Sequence, residues 1–394
     1  MSTRRLSAAW SRLSSLKNAP VARSSHGLSA INGKAYLFGG ETKARHAIDA
    51  SVHCLDYKQG EWKSMVAAGD SPTPRVGHAQ CSARDHMFVF GGRTDVDMGE
   101  GNLNDLWAFN PAKSDWTKFE STNGTTPPEA RSFHRAAAAN DKVYIFGGCG
   151  CDGRLADLHE YDLNALKWRQ LPSPPEHVAG RGGATFEASS DGRSLLMVAG
   201  FAGHETNDIL KFDLATEEWE VIPSGWLRPR SVCASMSFQH PSGPCVLIFG
   251  GEVEPSNQGH EGAGGFASDL ISVDPTNGTP MHLTIEPPPK SLRKEGSSFL
   301  PSAAAAEDAG DGEDPLEASS SSRGKGDASF LPSASAADEF GTSPMARGWG
   351  AATAISPTEG IMFGGLTGDD KAPVRLDDCW LLRVAEPMAY SRMV

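Results

Sequence analysis

A doublet of small residues returns along this chain: Gly39-Gly40, Gly91-Gly92, Gly147-Gly148, Ala199-Gly200, Gly250-Gly251 and Gly364-Gly365. The first five are spaced by about fifty residues, a period that marks the blade of a β-propeller. Each doublet ends a short apolar run, such as Ala35-Tyr36-Leu37-Phe38, Val143-Tyr144-Ile145-Phe146 or Val246-Leu247-Ile248-Phe249. Runs of this kind predict inner strands buried on both faces. The glycines that follow let the backbone turn and pass close to a neighbour, where a Cβ would collide.

The rest of the repeat follows the same register. Downstream comes an outer strand ending in tryptophan: Leu55-Asp56-Tyr57 with Trp62, Phe109-Asn110 with Trp116, Tyr161-Asp162 with Trp168, and Phe212-Asp213 with Trp219. Upstream of each apolar run stands an arginine: Arg23, Arg75, Arg131, Arg181, Arg230 and Arg347. This register resembles the kelch repeat, and its six copies predict an all-β, six-bladed kelch propeller. The last repeat has no outer strand with its own tryptophan, whereas Trp10 and Leu13 precede the first arginine. The N-terminal strand is therefore expected to complete the last blade. The first fifteen residues are rich in Ser and Arg and lack acids, like a transit peptide, but cleavage there would remove the closing strand.

A formal charge of −13 argues against a nucleic-acid partner held by phosphate contacts. No apolar segment approaches the length of a membrane span. Seven cysteines without a disulfide-like framework suit a reducing compartment, the cytoplasm or the nucleus. The one close pair, Cys149-Gly150-Cys151, has no second pair to complete a metal site and reads as an incidental loop feature.

The gap between the fifth and sixth doublets is too long by about sixty residues relative to the blade period. The excess falls at 286–344, rich in Ala, Ser, Gly, Pro and acids. Such a stretch buries too little apolar surface to offset its ordering entropy, so the expected domains are a propeller at 1–285 and 345–390 and a disordered low-complexity insertion at 286–344. Within it Ser298-Phe299-Leu300-Pro301-Ser302-Ala303 recurs as Ser329-Phe330-Leu331-Pro332-Ser333-Ala334. Duplication by slippage accounts for this; a bivalent motif docking a protein partner is the alternative.

The recurring arginines admit two readings. Gathered at one mouth of the channel, they would form a well for sulfate, phosphate or carboxylate, whose oxygens match the guanidinium fork. Bonded to carbonyls between blades, they would be structural. Arg93 is different, because it directly follows Gly91-Gly92 and occurs in one blade only. An irregular residue in a regular repeat points to a ligand.

A more specific resemblance rests on Gly250-Gly251-Glu252-Val253-Glu254-Pro255-Ser256-Asn257-Gln258-Gly259-His260, with Phe-Gly-Gly-Arg at 90–93, Ala-Arg-Ser-Phe-His at 130–134 and Ala-Arg-Gly-Trp at 346–349. Together they are similar to the plant specifier proteins, the nitrile-, epithio- and thiocyanate-forming kelch proteins of glucosinolate breakdown. The resemblance implies an Fe(II) site at Glu252, Ser256 and His260. Ser256 stands where that family has aspartate, and a neutral hydroxyl is a poor substitute for a carboxylate in a facial triad. Glu254 or Glu261 could replace it if the loop folds differently. The resemblance also implies substrate contacts from Arg93 and Arg154 to a sulfate, and from Phe133 and Trp349 to an apolar side chain. Read from the residues alone, Phe133 and Trp349 serve equally well as packing between blades. The activity implied is lyase-like, with Fe(II) as cofactor: a small sulfated or otherwise anionic aglycone, a thiohydroximate sulfate, is directed to a nitrile. The alternative is a non-catalytic propeller that binds a protein at its mouth, although no BTB or F-box segment is recognisable in the chain.

Overall fold

The computed structural model describes residues 5–94, 101–120, 125–287 and 342–386. They build a six-bladed propeller of antiparallel sheets around a central channel. In the first blade the strands run outward in chain order, Gly27–Ile31, Lys34–Phe38, Val52–Asp56 and Glu61–Met65. The apolar runs form the second strand of each blade, one place out from the channel. The innermost strand is the segment before it, rich in Ala, Ser and Gly. The outer element expected to end in tryptophan is two strands: Asp56 ends the third, and Trp62 is the second residue of the fourth.

The core lies between blades. It divides into six clusters, each shared by two neighbouring sheets. Trp62 is fully buried against Phe363 of the last blade, with ring centroids 5.2 Å apart. Removing about 200 Å² of indole from water at about 25 cal/mol per Å² is worth about 5 kcal/mol. Each blade thus depends on its neighbours for its apolar cover.

The N-terminal strand closes the ring as expected. Arg5–Arg12 pairs antiparallel with the third strand of blade six, Pro373–Ala385, placing Trp10 opposite Leu382. Blade five keeps three strands in its own sheet, Ala234–His240, Gly243–Phe249 and Leu270–Val273. Its chain then crosses over, and His282–Ile285 adds in parallel outside the N-terminal strand, giving blade six five strands. Trp10 fills the seam between blades five and six, 5.4 Å from Phe249 and 6.4 Å from Trp380. No described helix is long and apolar enough to cross a membrane. All seven cysteines are free thiols. Apart from its edges, the 286–344 insertion with its repeated Ser-Phe-Leu-Pro-Ser-Ala segment lies outside the described residues.

The repeated arginines and doublets belong to one seam motif. Arg23, Arg75, Arg131, Arg181, Arg230 and Arg347 are all buried. Each donates to the carbonyl of the first doublet residue of its own blade, from Arg23 on Gly39 at 2.9 Å to Arg347 on Gly364 at 3.1 Å. Most also grip an aspartate on or just before the third strand: Arg75 takes Asp105 at 2.7 and 3.0 Å, Arg131 takes Asp157 at 2.7 and 2.8 Å, and Arg230 takes Asp269 at 2.9 and 3.0 Å. The carbonyl of each arginine in turn accepts the N–H of the second doublet residue of the preceding blade, as Gly40 to Arg75 at 3.0 Å and Gly365 to Arg23 at 2.9 Å. At Gly39 (φ 64°) a Cβ would lie 2.7 Å from the Arg75 oxygen, whereas blade four accommodates Ala199 at the same position in the same left-handed backbone (φ 59°). The anion-well reading of these six arginines is thereby replaced by the structural one: their donors are spent on carbonyls and carboxylates.

Candidate functional site

Two residues after each seam arginine the chain reaches the channel. Ser25, Gly77, Phe133, Gly183, Val232 and Trp349 all adopt left-handed backbone, with φ between 50° and 61°. Each donates its N–H to the carbonyl of its counterpart one blade back: Gly77 to Ser25 at 3.2 Å, Phe133 to Gly77 at 2.6 Å, Gly183 to Phe133 at 2.9 Å, Val232 to Gly183 at 2.7 Å, Trp349 to Val232 at 2.9 Å and Ser25 to Trp349 at 2.9 Å. The result is a closed annulus of six hydrogen bonds across the channel. A second ring surrounds it, made by the residue after each doublet: Glu41, Arg93, Cys149, Phe201, Glu252 and Leu366. Each is bridged to the residue after a seam arginine.

The annulus brings several of the expected residues together. The Phe133 and Trp349 rings meet edge to face with centroids 5.5 Å apart. The His260 ring lies 5.3 Å from Phe133 and 4.9 Å from Trp349. The Arg93 guanidinium sits 5.0 Å from the Phe133 centroid and is fully buried, which lowers its pKa. Arg154 lies in the next sector, 4.7 Å from the centre of the Phe201 ring. Burial raises the pKa of the Cys149 thiol, while Arg154 and Arg93 both act to lower it.

The three residues at the implied metal positions are held by different partners. His260 Nε2 is 3.0 Å from Glu41 Oε1. Burial alone would raise the Glu41 carboxyl, but His260, Arg375 and the Arg45 N–H outweigh it and hold it at about 2. The Ser256 hydroxyl donates to Asp370, whose other oxygen accepts the Asn257 N–H at 3.0 Å. Glu252 accepts the Ser256 N–H at 3.2 Å, and its carboxyl is pushed up to about 7, first by burial and then by the neighbouring Glu205. Among the described residues no cluster of three His, Cys, Asp or Glu side chains is arranged to hold a metal ion.

Residues 25–251 match the KLHDC2/KLHL20/DRC7 Kelch-repeats domain, a stretch covering more than half of the sequence. The chain belongs to the kelch-repeat family. This kelch protein is 31% identical over 280 residues to N-(sulfonatooxy)prop-2-enimidothioate sulfolyase of Thlaspi arvense, across 65% of its own length and 77% of the sulfolyase. It is also similar to the Rab9 effector proteins with kelch motifs. It is 32% identical over 216 residues to that of Bos taurus, across 51% of its own length, and 32% over 221 residues to that of Homo sapiens, across 52%. It spans 55% of either effector.

For Fe(II), the donor set of this kelch protein does not fit: one position is a hydroxyl committed to Asp370, and the imidazole is committed to Glu41. Glu41, Arg375, Glu205 and Asp370 were not singled out by sequence reasoning. Glu41 was within reach of it, because the position after the doublet that marked Arg93 also marks Glu41, Cys149 and Glu252. Asp370 comes from the turn between the second and third strands of blade six and Arg375 from the start of the third, and neither carries a repeat signal.

Proposed function

We propose that this kelch protein is specifier-like: its mouth takes a small sulfated anion with an apolar side chain, a thiohydroximate sulfate, and directs its breakdown toward a nitrile. One observation carries the reading, the meeting of Phe133, Trp349 and Arg93 on the annulus. Two blades place Gly77 and Gly183 at this position; Phe133 and Trp349 hold the same left-handed backbone at a cost on the order of 1–2 kcal/mol each. Strain retained where glycine would relieve it points to the work of the side chains. The two rings wall an apolar substituent, and Arg93 and Arg154 supply forked donors for a sulfate. As the N–O bond of the substrate breaks, its electron pair leaves with the sulfate, the C–S bond pair completes the C≡N bond and the sulfur departs as neutral sulfur. Those donors stabilise the charge growing on the departing sulfate oxygen. Arg93 is covered in this conformation, so an incoming anion displaces one of its neighbours, and the His260 ring is the piece carried by a loop. No step is assigned to Fe(II). The similarity to the Thlaspi arvense sulfolyase supports the substrate class.

The test is product partition. A glucosinolate and a thioglucosidase are combined with and without the protein, and nitrile is measured against isothiocyanate. The nitrile share should rise with the protein and fall back with Arg93→Ala. An unmoved ratio would leave the protein-binding propeller, the reading supported by the similarity to the Rab9 effectors.

A further inference from the structure

Behind the annulus the channel widens in steps. A void of about 30 Å³ touches the annulus and Arg135. A second of about 70 Å³ is lined by Arg135, Glu187, Gln80 and Cys233. Beyond it lies a cavity of about 480 Å³, lined by Glu187 and by small residues such as Ala138, Ser235, Ser237 and Ala352. That volume lies within the range of small-molecule sites. The six innermost strands are nearly free of charge. They carry one arginine, Arg135, and one carboxylate, Glu187. Four residues after their own seam arginines the other blades have Gly27, Ala79, Thr185, Ala234 and Ala351. Both charges are thus exceptions in a regular repeat, and both line the void of about 70 Å³.

The two charges attract each other but share no hydrogen bond or ion pair. Arg135 donates its Nε to the Ala184 carbonyl at 2.9 Å. Among the described residues its terminal amino groups meet no hydrogen-bond acceptor and form no ion pair. Glu187 accepts only the Ser235 hydroxyl, at 2.6 Å. Burial lowers the Arg135 pKa and raises that of Glu187, outweighing the attraction between them. Leaving a half-buried charge without a bonded counter-ion is costly, and a ligand of opposite charge at each end lowers the cost.

We propose that the channel is a second ligand site, reached from the face opposite the annulus, for an amino-acid-sized zwitterion whose carboxylate meets Arg135 and whose ammonium meets Glu187. The small side chains of the walls make the room, and the two charges set the orientation. This site is independent of the mouth and stands whether or not the specifier-like reading holds.

The experiment is calorimetric titration of the full chain with glycine, β-alanine, γ-aminobutyrate and L-glutamine, probes that separate the charges by different lengths. Acetate and methylammonium serve as half-probes. At least one zwitterion should saturate at millimolar concentration and bind more tightly than either half-probe. Arg135→Gln and Glu187→Gln should each weaken it by about tenfold or more. Ala352→Leu, which narrows the cavity and keeps both charges, should weaken it, whereas Arg154→Ala at the mouth should leave it unchanged. The proposal is overturned if no zwitterion saturates at tens of millimolar, or if Ala352→Leu or Arg135→Gln binds like the parent protein. Thermal melts of each variant separate loss of binding from loss of fold.

Discussion

The Ser25 N–H donates to the Trp349 carbonyl at 2.9 Å, joining the first blade to the sixth across the channel. It is the link that makes the annulus circular. Because that bond needs left-handed backbone at both residues, the mouth is built from positions where the chain is most constrained. Its side chains are therefore held more firmly than loop side chains usually are.

The two classes of arginine should separate on mutation. Arg131 is buried and bonded to Gly147 and Asp157. Arg131→Ala leaves the Asp157 carboxylate and a seam carbonyl without their donor, and should cost about 3–5 kcal/mol. Arg154 is exposed and rests on Phe201, so Arg154→Ala should cost under about 1 kcal/mol. Urea denaturation of the two variants checks this; equal losses would contradict the division.

Acid should loosen the seams early. Burial holds His26 and His78 at about 3 and His134 well below its ordinary value, so all three are neutral in the fold and charge readily once unfolded. A group with a depressed folded pKa stabilises above its unfolded value, near 6.5 for histidine, and that contribution drains away as pH falls below it. The aspartates act in the same direction at lower pH. Burial would raise Asp105 and Asp378, but Arg75 and Arg347 outweigh it, so their contribution is lost only below about 4. Urea midpoints should therefore fall steadily from pH 7 to 5 and then more steeply. A flat profile down to pH 5 would mean the three histidines are not neutral in the fold.

Phe133→Gly should separate stability from binding. Glycine removes on the order of 1–2 kcal/mol of left-handed strain, offsetting part of the packing lost against Trp349 and His260. The melting temperature should shift by only a few degrees, while affinity for an aryl or alkyl sulfate probe falls by about tenfold, the worth of one apolar wall. A collapse of stability with binding intact would assign Phe133 to packing alone.

Anaerobic Fe(II) titration should give the same low occupancy in the parent protein and in His260→Ala. The His260 imidazole is held by Glu41, and the Ser256 hydroxyl by Asp370. Stoichiometric iron that His260→Ala abolishes would mean the loop rearranges around the metal and that a carboxylate has taken the place of Ser256.

The doublets, arginines and tryptophans determined the architecture without help from tertiary structure, because every blade solves the same packing problem with the same residues. Even ring closure was legible, since a tryptophan missing at one end reappears as Trp10 at the other. Arg93 was legible too, as an exception to its repeat. The repeat could not say where a side chain spends its hydrogen bonds. Arg131 and Arg93 are the same residue type, yet one is consumed by the Asp157 seam and the other lies beneath Phe133. Nor could it bring Glu41 to His260 or Asp370 to Ser256, pairs separated by 219 and 114 residues. The physical reason is closure. Local sequence dictates strands and turns through period and backbone preference, whereas the mouth and channel are made of residues that meet only when six blades form a ring.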